Sequence, residues 1–161
     1  MARPLGTDGL KDGRGAAVAD LDGNGGLDLV INNNAGTPTV YLNRVPNAGH
    51  WLALDLEGTF TNRNAVGARV VLEAGGRQQV RQVEAGSGYA SQHPTTVHFG
   101  LGRAQTVDRL RITWPDGQVE ELQGPDAAAL GIDRRVHIVQ GAEHTTARQT
   151  KSRSPETTGR S

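Results

Sequence analysis

Residues 20–28 hold the side chains best suited to chemistry, because four of them carry oxygen at regular spacing within a short glycine-rich loop. The four are Asp20, Asp22, Asn24 and Asp28, at loop positions 1, 3, 5 and 9. A short segment wraps a hard cation such as Ca²⁺ by presenting oxygen atoms in this way. Three of the four are carboxylates, which would repel one another without a cation between them. The sequence therefore predicts a calcium site on these side chains, with the backbone carbonyl of Gly26 as a fifth ligand.

The loop follows the EF-hand pattern for nine residues and then departs from it. An EF-hand needs a bidentate glutamate at position 12, where this chain has Ile31. Residues 29–31 continue as an apolar strand, and residues 16–19 before the loop are too small and apolar for a long amphipathic helix. The pattern indicates a calcium loop set between β-strands. A turn without metal is the alternative, because Asp, Asn and Gly are also the usual turn residues.

The composition excludes several classes of protein. The chain has 161 residues, with 17 basic and 17 acidic side chains and no net formal charge, so its charge does not suggest nucleic-acid binding, which needs a basic stripe. It has no cysteine, which excludes disulfides and cysteine-based zinc sites. No apolar run approaches the roughly 20 residues that span a membrane. Glycine is frequent, at 22 residues, and aromatic residues make up only 4%, a balance typical of short strands joined by glycine turns.

The chain divides into three regions. Residues 1–45 contain the calcium loop and two or three strands, too few to bury a core, so they predict one unit of a repeat whose neighbours lie elsewhere. Residues 46–140 contain a succession of short strands with one apolar face. Residues 141–161 are rich in Thr, Ser and Arg and predict a disordered tail.

The first residues lack the apolar core of a secretory signal peptide. A calcium loop of modest affinity is most useful where Ca²⁺ is millimolar, as it is outside cells. We therefore expect a fragment of a longer protein, with a signal peptide and further repeats upstream. The expected location is extracellular, periplasmic or on the cell surface.

Period-two spacing predicts the buried positions of the second region. The apolar groups are Leu52, Leu54 and Leu56; Val70 and Leu72; Val97, Phe99 and Leu101; Leu110, Ile112 and Trp114; and Val136 and Ile138. Val80 and Val83 break the alternation, which predicts a bulge between them.

A second local signal in this region is the turn Trp114-Pro115-Asp116-Gly117. It predicts a hairpin between strands 109–114 and 118–122, with Arg109 and Arg111 facing the side that bears Glu120 and Glu121. Residues 125–130 predict a single helical turn.

Several segments of the second region match a known domain in the expected order: Gly49-His50-Trp51-Leu52, Leu56-Glu57-Gly58-Thr59, residues 62–70, residues 86–92, His98-Phe99-Gly100-Leu101-Gly102 and Trp114-Pro115-Asp116-Gly117. By these segments, residues 49–122 resemble the ASPIC/UnbV domain. Residues 15–43 resemble an FG-GAP/VCBS repeat, the calcium-loop blade of integrin-α-like β-propellers.

The resemblance implies that the four loop side chains are calcium ligands, and it implies no catalytic residue. We therefore predict an all-β protein in three parts. Residues 1–45 form a partial β-propeller-type repeat, residues 46–140 a small antiparallel β-sandwich or barrel, and residues 141–161 a disordered tail.

Other candidate sites are weaker. Ser87, Ser91, His93 and His98 are close in sequence, but a serine nucleophile needs a base and a carboxylate in contact with each other, so a tight polar loop is the preferred interpretation. A zinc site would need a third ligand beside the two histidines, and His98 is predicted to be an outward surface residue. Arg63 is predicted to brace the loop of residues 86–92.

The predicted exposure of the aromatic rings distinguishes two candidate functions. Trp114 is predicted to lie in the core, Trp51 to be exposed or packed under the preceding region, and Tyr89 to be the best candidate for ligand contact. The predicted function is a non-enzymatic, calcium-binding extracellular interaction or adhesion module, with a protein or glycan partner that the sequence does not identify. The alternative is a carbohydrate-binding module of a secreted enzyme, which would present exposed rings in a groove.

Overall fold

The computed structural model describes residues 12–45, 49–86 and 88–142. These ranges contain the following elements: β1 (Gly13–Ala19), β2 (Asp28–Asn33), β3 (Thr39–Tyr41), β4 (His50–Glu57), β5 (Arg69–Ala74), β6 (Arg77–Gln82), β7 (Val97–Gly102), β8 (Arg109–Thr113), β9 (Val119–Gln123), α1 (Pro125–Ala128) and β10 (Arg134–Val139). Within the described ranges, no helix has the length and apolar character to cross a membrane. The predicted disordered tail falls mostly on residues 143–161, which lie outside the described residues.

The strands form three sheets rather than a closed barrel. The first sheet has the order β1-β2-β3, the second β10-β4-β7 and the third β6-β5-β8-β9. The all-β prediction is confirmed, and the single helical turn that the sequence predicted is α1.

The second and third sheets pack on each other around one apolar core, which we call the sandwich. Both sheets supply its buried side chains: Leu52, Leu54, Leu56, Val97, Phe99, Leu101, Val136 and Ile138 from one, and Val70, Leu72, Ala74, Leu110 and Ile112 from the other. Trp114 joins the same core, as predicted. The period-two groups of the sequence are therefore the inner faces of the two sheets.

One strand pair departs from the antiparallel pattern that the sequence led us to expect. β10 runs parallel to β4, with Arg134 opposite Leu52 and Val139 opposite Glu57. A parallel partner cannot be reached by a tight hairpin and needs a longer crossover connection. The connection from β4 to β10 runs through β5 to β9 of the second and third sheets and ends with α1, which leads from β9 in the third sheet back to β10 in the second.

The hairpin prediction for β8 and β9 is confirmed, with one correction. Arg109 lies beside Glu121, with its Nε 2.9 Å from Oε1. Glu120 instead lies opposite Ile112, on the face of the sheet that packs inward, and its Oε1 accepts the backbone N–H of Gly141 at 2.7 Å. The two glutamates differ because successive strand residues point to opposite faces.

The predicted bulge near Val80 is wrong. β5 and β6 pair in continuous register from Arg69–Gln82 to Ala74–Arg77, and Val83 extends the ladder by donating its N–H to the carbonyl of Ala68. The apolar alternation breaks because β6 carries polar residues at its inner positions. Gln79 donates to the carbonyl of Gly100 at 2.7 Å, across the gap between the two sheets.

Candidate metal centre and its seat on the sandwich

The carboxylate loop of residues 20–28 connects β1 to β2, which pair antiparallel with Ala19 opposite Asp28. Two of its glycines adopt positive φ, 76° at Gly23 and 84° at Gly25. A residue with a Cβ resists this region of backbone space. The glycine-rich sequence therefore allows the chain to fold tightly back toward the carboxylates.

Asp20 lies where the loop closes on itself. Its Oδ1 accepts the backbone N–H groups of Gly23 at 2.9 Å and Asn24 at 3.1 Å, and its Oδ2 accepts that of Gly25 at 3.0 Å. Hydrogen bonds to a charged acceptor are stronger than neutral ones. One carboxylate therefore orients three consecutive peptide groups of the loop.

Asp28 anchors the loop to the rest of the first sheet. Its side chain is completely buried, with Oδ2 accepting the N–H of Leu21 at 2.8 Å and Oδ1 accepting that of Asn43 at 2.7 Å. A buried carboxylate is costly unless it is hydrogen-bonded or coordinates a metal. These contacts tie the start of the loop to the segment that follows β3.

Three of the predicted ligands meet in space. Asp20, Asp22 and Asp28 each bring one carboxylate oxygen within 4.8 Å of the others. Asp22 is the exposed member, and Nη2 of Arg44 lies 3.2 Å from its Oδ2. A carboxylate has about four lone-pair positions, so the N–H groups that these oxygens already accept leave capacity for a cation. The donor set fits a hard divalent ion.

Asn24 and Gly26 are hydrogen-bonded to each other. Oδ1 of Asn24 accepts the N–H of Gly26 at 2.6 Å, while its Nδ2 donates to the carbonyl of Asn43 at 3.1 Å. Ligation by the Asn24 side chain and by the Gly26 carbonyl stays a prediction.

The loop has a partner surface on the sandwich that no sequence pattern predicted. His98 on β7 points its Nε2 at the carbonyl of Gly25, 2.9 Å away. Its ring stacks on Trp51 of β4, with 5.8 Å between centroids and 8° between the planes. The predicted outward direction of His98 is confirmed, but the side chain is half-buried under the loop and not free on the surface.

The surroundings of His98 alter its ionisation. Burial lowers the pKa of the His98 imidazole from its ordinary value. The hydrogen bond to Gly25 and the charge of Asp20 act in the opposite direction, and Arg81 reinforces the lowering. The neutral ring that results can still donate from Nε2 to the Gly25 carbonyl.

Trp51 lies directly against the loop. A Cβ added at Gly25 would come within 2.0 Å of the indole Nε1. Of the two placements that the sequence left open for Trp51, packing under the preceding region is confirmed. Ala53, two residues further along the outer face of β4, is only 5% exposed. An available sequence signal was the apolar run of residues 51–54, because a strand that is apolar on both faces is covered on both faces.

β1 also contacts the sandwich. The backbone N–H of Val18 donates to Nδ1 of His93 at 3.1 Å. A Cβ at Gly15 would lie 2.6 Å from the carbonyl oxygen of Ala90, so the backbones approach closely there. Both histidines that were weighed as zinc ligands instead contact the first region.

A charged cluster continues the same outer face beyond Ala53. The guanidinium of Arg135 on β10 binds both carboxylate oxygens of Asp55 and donates to Oγ1 of Thr96 at 2.7 Å. The Asp55 carboxylate raises the pKa of Arg135, and the charge of Asp20 adds to this effect. The carboxylate loop therefore lies within electrostatic reach of an arginine on the sandwich.

The other candidate residues do not form the arrangements considered for them. The hydroxyl of Ser91 donates to the carbonyl of Tyr89 at 3.1 Å, not to a histidine, and Ser87 lies outside the described residues. Arg63 pairs with Glu57, Nε to Oε1 at 3.2 Å. The structure therefore gives it a partner on β4 in place of the predicted loop at residues 86–92.

The fold and site together define a two-sheet β domain with a carboxylate loop seated on its outer surface. The family model described as ASPIC and UnbV matches residues 58–145, more than half of the chain. The chain belongs to the ASPIC and UnbV family. The FG-GAP/VCBS assignment of residues 15–43 stays a prediction.

Individual relatives agree with this assignment. The chain is 34% identical over 113 residues to cartilage acidic protein 1 of Xenopus tropicalis and of Mus musculus, and these matches cover 66% of the chain and 17% of each relative. Cartilage acidic protein 1 of Homo sapiens is 33% identical over the same length. The chain thus spans about a sixth of the length of the curated relatives that it matches.

Proposed function

We propose that the chain is a non-enzymatic, calcium-binding extracellular interaction module, in which the loop of residues 20–28 holds the ion. The observation that carries the proposal is the convergence of Asp20, Asp22 and Asp28, whose carboxylate oxygens lie within 4.8 Å of one another.

Electrostatics favours a cation between these groups. At an effective dielectric constant of about 20, two unit charges at this separation repel by roughly 3–4 kcal/mol. Arg44 pairs with Asp22 and Arg135 acts on Asp20 from farther away, so the two arginines offset part of the repulsion. A divalent cation in contact with all three carboxylates relieves it more completely.

The donor set favours Ca²⁺ among the divalent cations. All the proposed ligands are oxygen atoms, which suit hard ions better than they suit zinc or copper. Asp20, Asp22, Asn24, Asp28 and the Gly26 carbonyl supply five ligands if each binds through one atom. Calcium takes six to eight in flexible geometry, so water or a bidentate carboxylate completes the shell.

An extracellular setting is supported by two arguments. The relatives are named for cartilage, a tissue rich in extracellular matrix. A site with few protein ligands is occupied mainly where Ca²⁺ is millimolar. In this proposal the first sheet is one unit of a repeat array, and the sandwich is the domain that follows it.

The test is calorimetric titration of Ca²⁺ into the wild-type chain and two matched variants. Asp22→Asn removes one charge at the exposed member of the cluster. Asp12→Asn removes one from a carboxylate that pairs with Arg14, outside the cluster. We expect Asp22→Asn to weaken binding about tenfold or more and Asp12→Asn to leave it unchanged, since a hydrogen-bonded charged group is worth about 1.5–3 kcal/mol.

Thermal unfolding gives a second readout. Saturation at 100 times the dissociation constant adds about 2.7 kcal/mol to the transition that unfolds the first sheet, enough to raise the Tm of that transition by about 5 °C or more. The metal proposal would be refuted if wild type and Asp22→Asn gave the same Ca²⁺ titration and if adding Ca²⁺ left Tm unchanged.

A carbohydrate-binding role is the second candidate, and the exposure of Tyr89 favours it. The Tyr89 side chain is 82% exposed, whereas Trp51 is covered by the loop and Trp114 lies in the core. A glycan array probed with the wild-type chain and with Tyr89→Ala tests this role. Binding that disappears in the variant supports it, and an array without hits counts against it.

A further inference from the structure

The outer face of β4 and β7 carries a surface shaped to receive the carboxylate loop. We call Trp51, Ala53 and His98 the loop seat. The outward positions of a two-sheet sandwich are normally polar and solvated. Here they bear an indole and a methyl group, and Ala53 is 5% exposed. The loop at Gly25 contacts two members of the seat, because its backbone lies against the indole of Trp51 and its carbonyl is bound by His98.

The seat contacts the loop at the peptide that joins Gly25 to Gly26. His98 binds the carbonyl of this peptide, on Gly25, at 2.9 Å. The N–H of the same peptide, on Gly26, donates to Oδ1 of Asn24 at 2.6 Å. Because a peptide unit is planar and rigid, the bond from His98 fixes the direction of the N–H that orients Asn24. One proposed ligand side chain is thus held through the seat.

A second proposed ligand is held through the preceding peptide. The N–H of Gly25 donates to Oδ2 of Asp20 at 3.0 Å, and Trp51 blocks displacement of Gly25 toward the sandwich, since even one added Cβ would come within 2.0 Å of its ring. Stacking of His98 on Trp51 in turn limits the orientation of the imidazole.

We infer that Trp51 and His98 are positioning residues of the metal site: they hold the loop closed before the cation arrives and so raise its affinity. The inference rests on the proposed function and adds to it a second set of residues, 23 or more positions from the end of the loop. Holding a binding segment in its bound conformation increases affinity because less ordering remains to be done on binding.

The experiment compares four variants with the wild-type chain. His98→Ala removes both the hydrogen bond and the stack. His98→Gln keeps an amide that can donate to the Gly25 carbonyl. Trp51→Ala removes the indole ring from the seat. His137→Ala is the matched control, because His137 lies on the same sheet and pairs with Glu57 at 3.0 Å.

Two measurements are made on each variant. Hydrogen–deuterium exchange of residues 21–26 in calcium-free buffer reports how firmly the loop is closed, and calorimetric titration with Ca²⁺ reports affinity. We expect His98→Ala to speed exchange and to weaken Ca²⁺ binding by about fivefold, the worth of one typical hydrogen bond. Trp51→Ala should change both quantities in the same direction, because it removes the ring that confines Gly25. His98→Gln should keep part of the protection from exchange and part of the Ca²⁺ affinity, and His137→Ala should match the wild type in both.

The outcomes separate this inference from the proposed function. Exchange that is unchanged in His98→Ala overturns the inference, and so does faster exchange at an unaltered Ca²⁺ affinity. If the wild-type chain binds no Ca²⁺, the proposed function and the effect on affinity both fail. Exchange then decides the remaining claim, that the seat holds the loop closed. Should Trp51→Ala not fold, the two His98 variants carry the same test.

Discussion

The first sheet and the sandwich are stabilised by different interactions. Among the described residues, all buried apolar side chains lie in the sandwich region, from Leu52 onward. In the first sheet the buried side chains are polar, namely Asp28 and Asn33. Val40 and Leu42, in and after β3, remain largely exposed. The sandwich rests on apolar burial, and the first sheet rests on hydrogen bonds to carboxylates and on its contact with the seat. The difference teaches that a cation can matter greatly to one region while leaving the other unchanged.

The largest expected effect is on the sandwich. Phe99→Ala removes a completely buried ring and should cost about 3–5 kcal/mol of unfolding free energy, measured by urea denaturation without Ca²⁺. Phe60→Ala, at an exposed ring, should stay within about 0.5 kcal/mol of wild type. A Phe99→Ala protein that lost no stability would contradict the assignment of the core to this region.

An intermediate effect is expected where the two regions meet. Gly25→Ala combines a positive φ of 84° with a clash against Trp51, and should cost about 2–4 kcal/mol together. Gly76→Ala is the control, since its φ is also positive at 73° and its added Cβ would meet nothing within 4 Å. Calorimetric unfolding of both variants separates the clash from the backbone strain. If the two variants lost the same unfolding free energy, the seat would not confine the loop.

The smallest expected effect is a pH dependence of the same junction. Burial lowers the pKa of His98 in the folded chain, against an unfolded value of about 6.5. Between the two pKa values His98 is protonated to a greater extent in the unfolded chain than in the folded one. Stability in calcium-free buffer should therefore decline as pH falls from about 6.5 through the folded pKa, and level off below it.

The comparison for this pH profile is His98→Gln, which cannot titrate. Asp20 and Arg81 are the charged groups that act on His98, in opposite directions, and both remain in the variant. The other histidines also remain, so the difference between the two unfolding profiles isolates His98. Parallel profiles between pH 5 and 8 would show that its burial does not affect folding.

Local patterns made much of the fold and of the site predictable. The alternating groups around Leu52 and Leu110 identified the inner faces, because strand periodicity is a property of neighbouring residues. The carboxylate cluster was predictable for the same reason, since all its members fall within nine positions. The bulge predicted between Val80 and Val83 was wrong because the inner positions of β6 are polar, and apolar alternation cannot identify a polar inner face.

Long-range contacts could not be read from the sequence. The parallel pairing of β10 with β4 joins segments about 80 positions apart, and the bond between His98 and Gly25 spans 73 positions. Arg63 pairs with Glu57 on β4 and not with the loop of residues 86–92 that the sequence suggested. Such choices depend on how the sheets pack, which spacing along the chain does not encode.

The position of Trp51 gives the chain its own optical probe. The sequence contains two tryptophans, and Trp114 is enclosed in the core of the sandwich. Trp51 instead contacts Gly25 and stacks on His98. Movement of the loop away from the seat exposes this indole to water while Trp114 keeps its surroundings. Intrinsic fluorescence therefore distinguishes loop opening from global unfolding without any added label, and a lanthanide bound at the carboxylates would lie close enough to be sensitised by the same ring.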